Sequence, residues 1–226
     1  MKTKTLLIAA AALVAGVISS EAQVYSANIV GYANVVLKGQ GKYTLVSNPF
    51  DDGNGNQLTN LLATLPGASQ VLLWGGASFV PYNNIAGVWQ NNTSLPPGVG
   101  FFVKNGKLTG GTFPDITNTF VGSVVVASGA SVTNAVPVGY TLWGSVVPYA
   151  GDLATATTSG GDTNLNVGAI LPAASQVLGW SVASQSYVPS TKIAGTWNST
   201  VTANVGDGFF MRNKNGPATN WVQTLP

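Results

Sequence analysis

Residues 65–74, LPGASQVLLW, return at 171–180 as LPAASQVLGW. The landmarks around the two copies also recur in the same order. Tyr-Thr-Leu stands upstream at 43–45 and 140–142, Ile-Ala-Gly-x-Trp downstream at 85–89 and 193–197, and Gly-x-Gly-Phe-Phe at 98–102 and 206–210. The chain is therefore an internal duplication, and whatever it folds into must be built twice.

The N-terminus stands outside the repeat. Lys2 and Lys4 precede an apolar run at 6–17, and Ser20 and Ala22 supply small residues before a cut after Ala22. This reads as a signal peptide over 1–22; its apolar core is short for the ~30 Å hydrocarbon layer of a membrane. No later stretch could span. The expected mature chain begins at Gln23 and suits two lobes of about 100 residues, each large enough to bury a core. The expected organisation is a first lobe at 23–113, a boundary at 114–119 and a second lobe at 120–226.

Cleavage would also remove Glu21, the only glutamate, leaving a chain without Glu, His or Cys. Six aspartates oppose seven lysines and arginines, which offers no basic stripe for nucleic acid and no polybasic patch for anionic lipid. Without cysteine an exported protein must rely on burial and hydrogen bonds. The 28 glycines and 12 prolines point to short strands joined by many turns, while 45% apolar residues and a net charge of only +2 argue against disorder.

Strands are expected at 23–37 as one bent or two short segments, then at 43–47, 69–74, 78–82, 87–89, 100–104 and 108–113. The second-lobe series is 140–143, 175–180, 186–188, 195–197, 208–212 and 221–225. Leu58, Leu61, Leu62 and Leu65 fall at i, i+3, i+4 and i+7, which predicts one short helix capped by Asn56 and stopped by Pro66. It is the only helix expected, and 147–166 is expected to form a longer surface excursion in its place in the second lobe. The predicted fold is all-β, two related β-sandwich-like lobes, each with at most one short helix.

Comparing the copies stands in for an alignment. Phe101 and Val103 match Phe209 and Met211 and so read as one buried strand face; Lys104 matches Arg212, a charged end. Val99 matches Asp207, a position not expected in a core. Gly98 and Gly100 match Gly206 and Gly208, consistent with a tight turn or bulge where a Cβ would clash.

Trp74 with Trp180 and Trp89 with Trp197 are retained in both copies, which favours core filling over ligand stacking. Trp143 and Trp221 have no evident partner in the other copy, and Tyr82 corresponds to Ser190. These three are the candidate ligand-binding rings. Asp51, Asp52 and Asn54 on one loop, and Asp152, Asp162 and Asn164 on the other, offer hard oxygen ligands of the kind calcium takes. The EF-hand pattern fails, because Gln57 stands where its glycine belongs and no glutamate completes it. Asx turns that bond their own backbone account for the same residues.

Catalytic chemistry has little to draw on. Without His, Cys or mature Glu there is no Ser-His-Asp or Cys-His pair, no zinc cluster and no glutamate for glycoside hydrolysis. No Gly-x-Ser-x-Gly elbow, Ser-x-x-Lys or Walker loop occurs. The chain reads as a non-enzyme.

The runs GYANVVL, YTLVSNPF, LPPGVGFFVKN, TFVGSV, YTLWGSVVP, VGDGFFMRN and TNWVQTLP together resemble a group of secreted duplicated β proteins of environmental Gram-negative bacteria, with PGxGFFV-type repeat modules. The resemblance covers nearly all the mature chain and rests on turns and core strands. It implies the fold and carries over no catalytic residue. The first lobe also looks like β modules near the C-termini of large surface proteins, but no LPxTG motif or hydrophobic tail follows here, which implies release or non-covalent retention.

The expectation is a non-enzymatic exported structural or adhesive protein of the cell envelope or extracellular matrix, found in the periplasm, on the outer surface or outside the cell. The alternative is a carbohydrate-binding module using exposed aromatics. Expected partners are the chain itself or surface glycans, with no nucleic acid and no transmembrane segment after cleavage; no cofactor is required unless calcium binds the Asx loops. SANIVGYA, TNTFVGSV and TNWVQTLP look alike, so two lobes have three similar strands. If the middle and last close their lobes, the N-terminal strand is left to pair with an edge, in its own molecule or a neighbour.

Overall fold

A computed structural model describes residues 29–106, 114–155, 165 and 167–225. The first lobe contains β1 (Val30–Leu37), β2 (Tyr43–Ser47), α1 (Leu58–Leu61), β3 (Gln70–Trp74), β4 (Phe79–Ile85), β5 (Val88–Trp89), β6 (Gly100–Lys104) and β7 (Ile116–Ser123). The second contains β8 (Ser131–Val136), β9 (Gly139–Gly144), β10 (Gly151–Asp152), α2 (Val167–Ile170), β11 (Gln176–Ser181), β12 (Ser186–Ile193), β13 (Thr196–Trp197), β14 (Thr202–Ala203), β15 (Gly208–Asn213) and β16 (Thr219–Thr224). The all-β class and the two similar lobes are as expected. The strand expected at 108–113 and half of the second-lobe excursion, 156–164 and 166, lie outside the described residues. Among the described residues no helix is long and apolar enough to cross a membrane.

Each lobe is a five-stranded sheet covered on one face by a two-stranded ribbon. The first sheet runs β2-β6-β3-β4-β5 and its ribbon is β1-β7; the second runs β9-β15-β11-β12-β13 with ribbon β8-β16. Between sheet and ribbon lies the lobe core. In the first lobe Val46, Val71, Phe101 and Val103 from the sheet meet Val35, Leu37 and Phe120 from the ribbon, with Leu58, Leu62 and Leu65 closing one end. The second repeats this with Val177, Phe209 and Met211 against Val136 and Trp221.

Alternation along the strands sends the intervening residues to the opposite sheet face. Leu45, Phe102, Leu142 and Phe210 point away from their own lobe cores and form a third core with Trp74, Phe79, Leu178 and Trp180. The two sheets are therefore stacked through their outer faces, and the molecule has four layers: ribbon, sheet, sheet, ribbon. This explains the unbroken Phe-Phe-Val and Phe-Phe-Met runs, since a strand buried on both faces needs no polar side.

Three expectations change. β8, which the sequence reading missed, is the counterpart of β1, so four ribbon strands exist where three were counted. β1 pairs with β7 over its whole length, from Val30 opposite Ser123 to Leu37 opposite Ile116, and β8 pairs with β16. Among the described residues no ribbon strand is left over. For the same reason the boundary expected at 114–119 falls inside the first lobe: Phe120 is fully buried in that core, and the crossing to the second lobe runs through 124–130. Finally α1 is a single turn; Gln57 rather than Asn56 precedes it, with no side-chain cap, and α2 is a second helical turn where only one helix was expected.

The glycines at the sheet stack act as the repeat implied. Gly98 and Gly206 lie at φ +85° and +91°. A Cβ on Gly208 would stand 2.8 Å from the Val46 carbonyl oxygen of the other lobe, and one on Gly100 2.8 Å from the Trp143 carbonyl oxygen. Neither backbone can retreat without moving a sheet. Gly208→Ala and Gly100→Ala should each lower stability by about 1–3 kcal/mol, read as a lowered urea midpoint at unchanged slope; an unshifted midpoint for both would mean the stacked sheets are not this close.

Candidate functional site

Among the described residues the sheet stack brings together more aromatic rings than any other part, in a nearly twofold arrangement. Trp74 sits edge-on to Phe210 at 5.4 Å between centroids, and its counterpart Trp180 edge-on to Phe102 at 4.8 Å. Phe79 and Tyr187 repeat the relation, each 6.2 Å from the other lobe's phenylalanine. The indoles cross the stack. Trp74 Nε1 donates to the Tyr140 carbonyl at 3.0 Å, and Trp180 Nε1 to the Tyr43 carbonyl at 2.9 Å. Ser47 N donates to Gly206 O and Gly144 N to Gly98 O, both at 2.8 Å. Each contact is matched by its mirror in the repeat, as at a symmetric dimer interface.

Trp74 and Trp180 therefore bind the lobes to each other, while Trp89 and Trp197 pack against the separate lobe cores, as core filling requires. Of the candidate ligand rings, Trp221 is corrected outright. It is 1% exposed, stacked edge-on to Phe209 at 5.7 Å, and it is the counterpart of Phe120, which meets Phe101 at 6.5 Å. A larger ring in the same place hid the correspondence. Trp143 and Tyr82 are half-buried and pack against the cores of the second and first lobes respectively. The three rings do not converge.

Asp51, Asp52 and Asn54 do share one loop, and their polar atoms are used to fold it. Asp52 Oδ1 accepts from the backbone N–H groups of Asn54 and Asn56, both at 2.8 Å, and Asp51 Oδ1 accepts from Gly53 N at 3.0 Å and Asn56 Nδ2 at 3.2 Å. Asn56, at φ +51°, passes the network inward through Asn48 Nδ2 at 3.2 Å. Asp152 plays a related part in the second lobe, accepting from Ala154 N at 2.9 Å, Thr155 N at 3.0 Å and Val201 N at 3.3 Å. Asp162 and Asn164 lie outside the described residues. Among the described residues no three acidic, His or Cys side chains gather as metal ligands would.

Two carboxylates were not singled out by sequence. Asp115 bonds Lys38 Nζ at 2.7 Å and Gly39 N at 2.9 Å, and the lysine holds its carboxyl below the usual range. Asp207 lies at the sheet stack, its backbone bridged to Val46, beside a cavity of about 190 Å³ that Trp180 and Thr202 also line. Burial pushes its carboxyl above the usual range, against the pull of Asn204 N and Nδ2 donating at 2.8 and 2.9 Å. Its counterpart Val99 gave only the signal that the position tolerates a change of polarity.

Around the Trp74 indole the aromatic seam opens into a cavity of about 220 Å³ lined by Trp74, Phe79, Tyr140, Leu178, Tyr187 and Phe210. The chemistry available there is apolar contact plus the outer edge of β9 at Tyr140, whose carbonyl already accepts from the Trp74 indole.

Asp52→Ala should cost about 1–3 kcal/mol, because two backbone donors lose their acceptor, and the loss in a urea titration should be the same with calcium or with chelator. A loss seen only with calcium would make the loop a metal site. For Asp207 the folded carboxyl titrates above its unfolded value, so its contribution to stability is full below the unfolded value and is lost as pH rises through the folded one. Asp207→Asn should therefore gain less than the native chain when pH is lowered from 7 toward 4; identical pH profiles would contradict the burial. No family model, curated protein or solved structure matches the chain.

Proposed function

We propose that this chain is a non-enzymatic exported structural or adhesive protein of the cell envelope or extracellular matrix, which associates with further copies of itself. The observation that carries the reading is a difference between the two outer ribbons. On β1-β7 the outward residues Val30, Tyr32, Val36 and Val121 are 67%, 73%, 44% and 52% exposed, beside the polar Asn34, Thr117 and Thr119 on the same face, and Tyr32 stands directly opposite Val121. The same face of β8-β16 carries Ser131, Thr133, Ala135 and Asn220, with Val222 as its one large apolar residue. Where the copies agree, side chains hold the fold; at Val30 and Tyr32 they diverge, to Ser131 and Thr133, and with Val121 these make one end of the first ribbon the more apolar.

Self-association then does not need an unpaired N-terminal strand, since β1 is already paired. It uses the outward face of the ribbon. A mature chain with six acidic and seven basic residues brings little net charge to repel a second copy. This reading calls on no calcium, and the described loop carboxylates, Asp51, Asp52 and Asp152, accept from backbone N–H groups. The carbohydrate-binding alternative is left with fewer rings than the sequence offered: Trp221 is enclosed, and Trp143 and Tyr82 are packed on the cores.

In sedimentation velocity the mature chain should self-associate as its concentration is raised, and Tyr32→Lys with Val121→Lys should stay monomeric with unchanged thermal stability. Washed envelope fractions should retain the native chain and lose the double variant. A native chain that is monomeric throughout and remains in the supernatant ends the proposal, and saturable binding on a glycan array by such a chain would move the reading to the alternative.

A further inference from the structure

The near-twofold symmetry of the sheet stack is broken at the hairpins that follow Trp74 and Trp180, and this break defines a site. The hairpin between Trp180 and Tyr187 is two residues longer than the one between Trp74 and Phe79, as the pairing of Trp180 with Tyr187 and of Trp74 with Phe79 requires. The short hairpin is closed by Gly75 N donating to Ser78 O at 2.8 Å, with Gly76 at φ +91°. The long one carries Gln185, also left-handed at φ +53°, and its side chain reaches the edge of β2 in the other lobe. There Tyr43 N donates to Gln185 Oε1 at 2.8 Å, and Gln185 Nε2 donates to Tyr43 O at 3.1 Å. A primary carboxamide has thus filled both hydrogen-bonding positions of one edge residue. The Tyr43 carbonyl accepts this bond in addition to the one from Trp180 Nε1.

Tyr140 is the equivalent residue on β9. Tyr43 stands opposite Lys104, and Tyr140 opposite Arg212, the counterpart of Lys104. The Trp74 indole reaches the Tyr140 carbonyl from outside the sheet, so that carbonyl faces away from β15, and in an antiparallel strand the N–H of the same residue faces the same way. The short Gly75-Gly76 hairpin supplies no counterpart of Gln185. Among the described residues no acceptor takes the Tyr140 N–H, and Tyr140 is 40% exposed. What adjoins it is the 220 Å³ cavity walled by Trp74, Phe79, Leu178, Tyr187 and Phe210.

We infer that this cavity is a binding site for a primary carboxamide carried on an apolar group, as the Gln or Asn side chain of a polypeptide presents it, with the carboxamide on the Tyr140 N–H and carbonyl and the apolar group against the rings. The chain's own Gln185 supplies the template for the polar half, in the same geometry on the other side of the pseudo-axis. The cavity supplies the apolar half. This site lies on the sheet stack, apart from the outer ribbon, so it stands or falls independently of self-association.

The probe is 3-phenylpropanamide, with methyl 3-phenylpropanoate as the control that keeps ring and carbonyl and lacks the donor. In amide and indole NMR spectra of the folded native chain, the amide probe should give saturable shifts centred on Tyr140 N–H and the Trp74 indole N–H. The ester should bind about fivefold or more weakly, the effect expected for losing one hydrogen bond. Replacing residues 75–78 by the sequence of 181–186 should close the site with the chain's own glutamine and abolish the shifts. Equal affinity for amide and ester, shifts centred elsewhere, absence of saturation, or undiminished binding by the grafted chain would each overturn the assignment. Should the graft fail to fold, the amide and ester comparison on the native chain decides by itself.

Discussion

The contact on which the rest of the molecule depends is the crossed pair of indoles, Trp74 on Tyr140 and Trp180 on Tyr43. β2 and β9 are the edge strands of their sheets, and an edge strand carries backbone groups with no ladder partner. Each lobe answers the other's unpaired carbonyl with a ring that also fills the space between sheets. One residue type thereby satisfies a polar group and buries a large apolar surface. Ordinary aliphatic packing would leave the carbonyl unpaired at the margin of a dry interface, and that is costly.

From this the layering follows. Because the outer faces of both sheets are apolar, neither lobe presents an ordinary solvated sheet surface, and separation would expose Leu45, Phe102, Leu142 and Phe210 together. The aromatic stack supplies cohesion that a cysteine-free chain cannot obtain from cross-links. It also accounts for the glycine pattern: Gly100 and Gly208 lie where the backbone of one lobe touches the other, and the repeat keeps both because the interface is the same contact made twice.

The duplication, the all-β class and the buried faces of the Gly-x-Gly-Phe-Phe strands were legible because periodicity and repetition are properties of sequence. Which surface each face met was not. Phe101 and Phe102 are both apolar, and only the ribbon on one side and the second sheet on the other separate their roles. The ribbon strands were miscounted because β8, SVTNAV, is polar at the positions where β1 is apolar, so local resemblance paired β1 with β7 instead of with its true counterpart. Trp221 seemed unmatched because Phe120 does its work with a smaller ring. In the described part of the Asx loops the turn reading holds: the oxygens of Asp51, Asp52 and Asp152 meet backbone donors that no spacing rule locates. Gln185 carried no signal at all. Its meaning comes from a partner more than a hundred residues away.

A duplicated chain offers an internal control for every position, and the informative positions are those where the control fails. Val30 and Tyr32 on β1 against Ser131 and Thr133 on β8, Asp207 against Val99, and the long hairpin against the short one are three such failures. Symmetry explains the core at low cost in sequence information, since one set of contacts is specified twice. Departure from symmetry has no such economy. Each departure adds an exposed apolar face, a desolvated carboxylate or an open edge that would be destabilising or neutral in a purely structural repeat. Selection for stability alone would tend to remove them, so a position that differs between the lobes is one that the packing they share does not dictate.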